Sequence, residues 1–471
     1  METGTWSAHA HPPTRSPNEI CTVSGGVAAV TARRLHALVA RDQTEGRLPS
    51  LVTGVVRDGS LVWTANHGTH TGREAPSPDT QYRIGSITKT MTAVLVMQLR
   101  NEGALDLSDR IDAHLPGIGY GDRTIRSLLS HSSGMQSEPV GTWWERSPGG
   151  TFAELAAGID DSAAPLPAGS TYHYTNLAFG LLGELVARLR GGTWWEQVDT
   201  RILLPLRMGR TSYLATEPSA TGYSVHHFAG TLTEEPPQET GAMAPAGQIW
   251  STVGDLATYA RFLVEGDDLV LARSSIDEMT IPQVGSLAGG TTGSYGLGLR
   301  LPAGGSGKIA GHSGSMPGFV AGFFVDRARR TGAICLANGT SGLRAEGLPL
   351  DLLETLDQLE PTIVTAWRPT QAVPDDVAEV LGVWHWGNTA YSFGYDGSDV
   401  VVTLLGDNQV SHRFHPVGDG SFVGTLGYHL GETLRVERDV DSSINHLVCA
   451  TFIYTRTPYD PSVPIPGGHP C

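Results

Sequence analysis

Lysine is almost missing from this chain. Two lysines stand against thirty arginines among 471 residues. Arginine replaces lysine as a surface cation, but it cannot replace it as a base. The guanidinium stays charged, whereas a buried amine can be driven neutral. A chain this poor in lysine is informative wherever it keeps one. Lys89 closes the run Ser86-Ile87-Thr88-Lys89, and Lys308 stands alone further on.

Other absences narrow the field. The four cysteines, Cys21, Cys335, Cys449 and Cys471, are scattered. With no Cys-x-x-Cys pair there is no signal for a zinc or redox site, nor for a disulfide framework. Cys335 and Cys449 fall in apolar runs and read as buried core thiols. His-Glu-x-x-His is absent despite seventeen histidines, so a metalloprotease has no support, and neither metal nor cofactor is expected. Gly-x-Ser-x-Gly, the nucleophile elbow of α/β-hydrolases, is absent too. No apolar run is long enough to span a bilayer. Met1 to Ser24 is polar and carries no apolar signal-peptide core, so a cytoplasmic location is expected. The net charge of -16 argues against a nucleic-acid groove or an anionic membrane surface as the main partner.

What remains is a globular composition, 40% hydrophobic with 59 glycines and 29 prolines, long enough for more than one domain. Residues 1–24 are expected to form a disordered tail. Residues 25–360 read as one α+β domain. A helix over Val27 to Glu45 is followed by two apolar runs around Asp58-Gly59, which predict a β-hairpin. From Ile87 the apolar spacing becomes helical: Ile87, Met91, Val94, Leu95, Leu99. Ser86 thus starts a helix that points into the core, with Lys89 one turn later on the same face. Helices are expected over 125–129, 151–158, 177–189 and 348–359. Strands are expected over 296–301, 308–312, 319–326 and 332–338. Strands at both sequence ends with helices between imply a sheet assembled from distant segments. Residues 361–374 read as a proline-rich linker. Residues 375–471 read as a small antiparallel β-barrel, from short strands over 399–405, 410–416, 421–428, 433–438 and 447–454.

A serine hydroxyl needs a base to attack at neutral pH, and Ser86-x-x-Lys89 supplies one. By itself the motif is weak: the bland alternative is a helix-capping serine followed by a solvated lysine. Two further elements follow in order, Tyr174-Thr175-Asn176 and His312-Ser313-Gly314. With these three motifs the chain resembles the serine β-lactamase and penicillin-binding protein superfamily. Within it, the class C β-lactamase, D,D-peptidase and esterase branch is the nearest in pattern. The resemblance implies an antiparallel sheet flanked by helices, with an all-helical subdomain. Ser86 would form an acyl-enzyme, and Lys89 would accept its proton. Tyr174 would shuttle that proton, and Asn176 would orient Lys89 and hold a substrate amide. The backbone N–H groups of Ser86 and Ser315 would form an oxyanion hole, with His312 among the catalytic residues and Ser313 and Gly314 lining the substrate. Asn338 resembles a substrate-contacting asparagine of class C relatives. The C-terminal barrel resembles the lipocalin-like domain of several members, in which a late arginine approaches the active site; Arg456 is the match.

His312 departs from the family's Lys-Thr-Gly. A lysine there fixes a substrate carboxylate, and a neutral histidine does not. Uncharged leaving groups fit better: esters, thioesters or amides. Together with the expected location, this favours the penicillin-binding-protein-type thioesterases of nonribosomal peptide synthesis. Such a protein takes a peptidyl thioester with a D-configured last residue, with a peptidyl carrier protein as the expected partner, and releases a head-to-tail macrolactam. Two other readings stay open: a hydrolase (an esterase, D-amino-acid amidase, D,D-peptidase or β-lactamase-like enzyme), and a non-catalytic penicillin-binding sensor. His131 reads as a structural histidine in a turn. Trp143-Trp144 and Trp194-Trp195 read as core packing. Lys308 reads as a solvent-facing cation.

Overall fold

The computed structural model describes residues 26–458 apart from 72–73, 170, 286–292, 304–308, 364–365, 371 and 408; 460, 462 and 464 are described as well, while 459, 461, 463 and 465–471 are not. The expected tail, Cys21, Cys471 and Lys308 lie outside the described residues. The chain divides into two compact units between Thr362 and Ile363.

The first unit is built on an eight-stranded antiparallel sheet. Its spatial order runs Ser60–Gly68, Ser50–Arg57, Thr331–Ala337, Phe319–Asp326, Ile309–Met316, Arg300–Pro302, Gly293–Tyr295 and Val284–Gly285. The first hairpin turns on Asp58 and Gly59, both left-handed (φ 47° and 74°), as a two-residue turn between twisted strands requires. The N-terminal hairpin joins the late strands through Leu51 opposite Ala337 and Val55 opposite Ala333. The expected strand over 296–301 begins as a tight turn, and only Arg300 and Leu301 of it are strand: Gly296 N–H bonds Leu299 O at 2.8 Å, and Tyr295 pairs with Arg300 across the turn. Local composition could not separate the two, because Leu297 and Leu299 are apolar and fully buried in the turn as well.

The central strands are buried on both faces, so they read as continuous apolar runs. Alternate residues separate into two cores. Leu51, Val55, Phe324 and Cys335 pack with Leu35 and Val39 of the helix Ala29–Glu45 and with Leu352 and Leu356 of the helix Gly347–Leu359. Val52, Val56, Phe323 and Ile334 belong to the larger core, with Met91 and Leu95 of the helix Thr88–Asn101 and Leu256 and Tyr259 of the helix Val253–Glu265. Every residue from Thr88 to Leu99 is buried. That helix has no wet face, so it is a central pillar rather than an amphipathic surface helix. It carries the lysine.

The second unit is an eight-stranded antiparallel sheet in simple sequential order, from Gly382–Trp386 to Phe452–Tyr454. A bridge between His385 and Thr455 joins its first and last strands, leaving a nearly closed barrel around Trp384, Phe393, Phe414, Phe422 and Tyr454. The expected run 447–454 is two strands, Ile444–Cys449 and Phe452–Tyr454, because Ala450 turns left-handed (φ 50°). Cys335 and Cys449 are free and buried. Among the described residues, no helix is long and apolar enough to cross a membrane.

Candidate active site

Ser86 lies in a single 3₁₀ turn, Gly85–Ile87, that feeds the helix Thr88–Asn101. Two glycines let the strand Ile309–Met316 approach this turn. Gly85 has φ 52°, and a Cβ on it would lie 2.5 Å from Ser315 N; a Cβ on Gly314 would lie 1.9 Å from Ile84 O and 3.0 Å from Ser86 N. Any larger residue would push the strand off the nucleophile. The hairpin closes with Met316 opposite Phe319, which makes Ser315–Val320 the next pair along. In an antiparallel ladder the pair after a closing hydrogen-bonded pair turns its N–H groups outward. The Ser315 amide therefore turns toward Gly85 and Ser86, where an oxyanion hole needs a donor.

Lys89 is fully buried. Its Nζ donates to Ser86 Oγ at 2.9 Å, Asn176 Oδ1 at 2.6 Å and Ala246 O at 2.7 Å. Burial drives its pKa down to about 7, although the carboxylates of Glu138 and Glu145 pull it back up. Near neutral pH it can therefore hold or release its proton, as a general base must.

Tyr174 and Asn176 flank Thr175, which caps the helix Asn176–Arg190 by accepting from Ala178 N–H. Thr175 is extended (φ −136°, ψ 119°), so its two neighbours project to one side. That geometry is the reason for the one-residue gap in Tyr-x-Asn. Tyr174 places its ring 5.0 Å from Lys89 Nζ. Burial pushes the phenol far above its ordinary range, partly offset by a hydrogen bond with Ser86. It therefore stays protonated and can only relay a proton.

His312 is buried, with Nε2 2.9 Å from the Tyr295 hydroxyl and Nδ1 against Ser313 O. Burial, then the charge of Lys89, lower its pKa to about 3. It is a neutral group at physiological pH. Its ring centre lies 6.1 Å from that of Tyr174, so the three motifs meet around one serine.

The structure adds Glu138, which carried no sequence signal, and gives the structural histidine His131 its partners. Glu138 accepts from Asn176 Nδ2 at 2.6 Å and from Trp144 Nε1 at 2.7 Å. Burial raises its pKa. His131 sits in a left-handed turn (φ 56°) and is more than a turn residue. It is buried with its ring centre 4.2 Å from Tyr174 and 4.5 Å from Tyr295, and its Nδ1 accepts the Thr175 N–H at 3.1 Å. The proton of the neutral ring is thereby placed on Nε2. Burial holds its pKa well below the ordinary value. Among the tryptophans, Trp144 and Trp194 are buried, but Trp143 is 61% exposed beneath Arg146. Trp194 and Trp195 line a cavity of about 520 Å³ with Phe152, Tyr213 and Pro245.

One expected contact is not brought to the site. Asn338 is fully buried. Its Oδ1 accepts from Ser50 N and Oγ, and its Nδ2 donates to His70 O and Thr221 O. All four bonding positions of the amide are spent on the fold. Arg456 donates to Leu381 O, Val383 O and Glu379 O, with its guanidinium 3.7 Å from the Trp384 ring centre. It is spent on holding the start of its own barrel.

A model of the family described as Beta-lactamase matches residues 35–355, and one described as a domain of unknown function (DUF7586) matches residues 373–456. Among curated proteins, Penicillin-binding protein 4 of Amycolatopsis lactamdurans is 28% identical over 232 residues, 46% of this chain and 60% of that one. The match spans 48% to 60% of the first such relatives, roughly half their length. Three solved structures share the fold. The octameric penicillin-binding protein homologue from Pyrococcus abyssi superposes with a TM-score of 0.64 at 23% identity, over 91% of this chain and all of that one. SurE superposes with a TM-score of 0.58 at 24% identity, over 91% and 99%. D-stereospecific amidohydrolase from Streptomyces sp. superposes with a TM-score of 0.58 at 26% identity, over 70% and 98%.

Proposed function

The chain belongs to the beta-lactamase family, and on that premise we propose that it is a serine acyltransferase that releases a peptidyl thioester as a macrolactam. The last residue of the peptide would be D-configured. The observation that carries this reading is the pairing of a lysine driven to a pKa of about 7 with a neutral His312. The first activates Ser86. The second puts a neutral ring where a cation would otherwise grip a substrate carboxylate.

In the first half-reaction, neutral Lys89 takes the Ser86 proton as Oγ bonds the thioester carbonyl carbon. The oxyanion faces the Ser86 and Ser315 amides. Collapse breaks the carbon–sulfur bond, and the proton passes through Tyr174 to the leaving thiolate. In the second half-reaction, the amine at the peptide's own N-terminus attacks the ester carbonyl. Its proton returns by the same relay to Ser86 Oγ. The balance is one thioester consumed, one amide formed and one thiol released. Delivery of the thioester on a peptidyl carrier protein is part of this proposal.

A second reading is a hydrolase with water as acceptor. The similarity to the D-stereospecific amidohydrolase from Streptomyces sp. favours it, and favours a D-residue at the acyl position in both cases. One assay separates them. The full chain is given a peptidyl pantetheine thioester ending in a D-residue, and the products are weighed by mass spectrometry. Cyclic product supports the transferase. Linear acid alone selects the hydrolase. A stable Ser86 adduct with no product would point to a sensor, and absence of any adduct would sink the acyl-enzyme premise.

A further inference from the structure

Asn176 can face Lys89 with either end of its amide, and the two ends have opposite consequences. A neutral lysine has two N–H bonds and one lone pair. Here Asn176 Oδ1 and Ala246 O take two positions around Nζ, at 2.6 and 2.7 Å. The third faces Ser86 Oγ at 2.9 Å. With both acceptors engaged, the lone pair of the neutral amine is left for the serine proton. Were the amide reversed, its NH₂ would point at the amine. It would then repel the charged form, or donate to the lone pair and withdraw it from Ser86.

We propose that Glu138 is the positioning residue that sets the direction of the Asn176 amide and so keeps the Lys89 lone pair aimed at Ser86. A carboxylate only accepts, so Asn176 must turn its NH₂ to Glu138 and its oxygen to the lysine. Glu138 is fixed in turn by a donor-only group, the indole N–H of Trp144 at 2.7 Å. The order Trp144, Glu138, Asn176, Lys89, Ser86 is thus a chain in which each donor–acceptor direction dictates the next. A neutral glutamine could not impose it: with its oxygen held by the Trp144 indole, it would turn its NH₂ to Asn176 and reverse that amide. Glu138 touches neither the nucleophile nor the base; it acts through Asn176.

The test rests on the acyl-enzyme reading and is built to fail separately from it. The full chain and its variants are acylated with p-nitrophenyl acetate from pH 5 to 9, with the Ser86 adduct read by intact mass. Lys89 faces Glu138 and Glu145 as acids and His131, His312 and Tyr174 as neutral groups; Glu138 faces Glu145 and Lys89. Glu138→Gln is expected to lower the plateau rate by about 10–100-fold, the effect of a misaligned base. It should also move the acid limb to lower pH, since one anion beside Lys89 is gone. Glu138→Asp, still acceptor-only, should recover part of the plateau. Glu145→Gln should move the limb in the same direction but keep the plateau. Trp144→Phe should fall between wild type and Glu138→Gln, and it carries the test if the glutamine variant does not fold. A Glu138→Gln enzyme with the wild-type plateau overturns the proposal, as does one whose plateau drops while its limb stays fixed. Absence of a wild-type adduct instead overturns the acyl-enzyme reading itself.

Discussion

The imidazole of His131 lies against the phenol of Tyr174, ring centres 4.2 Å apart. The same imidazole accepts the backbone N–H of Thr175. One buried side chain thus holds both the ring that relays the proton and the cap that launches the helix carrying Asn176. His131→Ala is expected to cost about 2–4 kcal/mol of stability through the cavity it opens, and to slow acylation. His131→Asn should cost less, because asparagine tolerates the left-handed backbone (φ 56°) and restores an acceptor. Thermal unfolding and adduct kinetics read both effects; equal damage from the two variants would contradict this account.

Lys89 should govern the pH profile. Only its neutral form can take the Ser86 proton, and its pKa lies at about 7. Acylation should therefore rise about tenfold per pH unit below 7 and level off above it. Stability follows the same sign. The folded pKa lies below the unfolded one of 10.5, so between pH 7 and 10.5 the unfolded chain binds more protons and stability rises with pH. Lys89→Arg keeps a cation that cannot discharge, so the acylation rate should fall by roughly 10²–10⁴-fold. A rate that is flat from pH 5 to 9 would remove Lys89 as the base.

Gly85→Ala should uncouple the oxyanion hole from the nucleophile. The added methyl would stand 2.5 Å from Ser315 N at a left-handed backbone position. A loss of about 10²–10³-fold in the rate of acylation is expected, the scale of one missing oxyanion donor. Thioester binding, measured in a Ser86→Ala background, should change much less.

His312→Lys reverses the selectivity argument. A cation at this position would grip carboxylate-bearing substrates and disfavour uncharged ones. It would also remove the 2.9 Å bond to Tyr295 and place a second cation near Lys89. The ratio of kcat/KM for a carboxylate-bearing ester over its neutral analogue should rise, while the neutral rate falls. An unchanged ratio would separate His312 from substrate choice.

Arg456→Ala should destabilise the barrel by about 1–3 kcal/mol, from the lost contact with Trp384 and the three carbonyls left without a donor. Differential scanning calorimetry of the full chain should show this as a lower transition of the second unit, with the transition of the first unchanged. A loss of acylation without any change in melting would instead give Arg456 the substrate role that its sequence position suggested.

The candidate nucleophile, base, relay tyrosine and asparagine were legible because each rests on a local rule. Ser86 and Lys89 are one helical turn apart, and Tyr174 and Asn176 flank one helix cap. Such spacings are enforced by the backbone within a few residues. Glu138 and His131 obey no such rule. They reach the site from the connections after the helix Ile125–Leu129, where no period marks a residue as inward. Asn338 failed in the opposite way. Its position in sequence matched a pattern, but hydrogen-bonding partners far along the chain had already taken all four bonding positions of its amide.

The sequence by itself determined that one of two lysines stands three residues after a serine, and that a histidine stands where relatives place a second lysine. Those are matters of chemical identity, and identity does not depend on the fold. The tertiary structure decided whether the lysine could perform its task. Burial on every side lowered its pKa, two fixed acceptors consumed its N–H bonds, and a carboxylate anchored to Trp144 set the direction of the amide beside it. Desolvation and hydrogen-bond direction arise only when segments distant in the chain close around one amine.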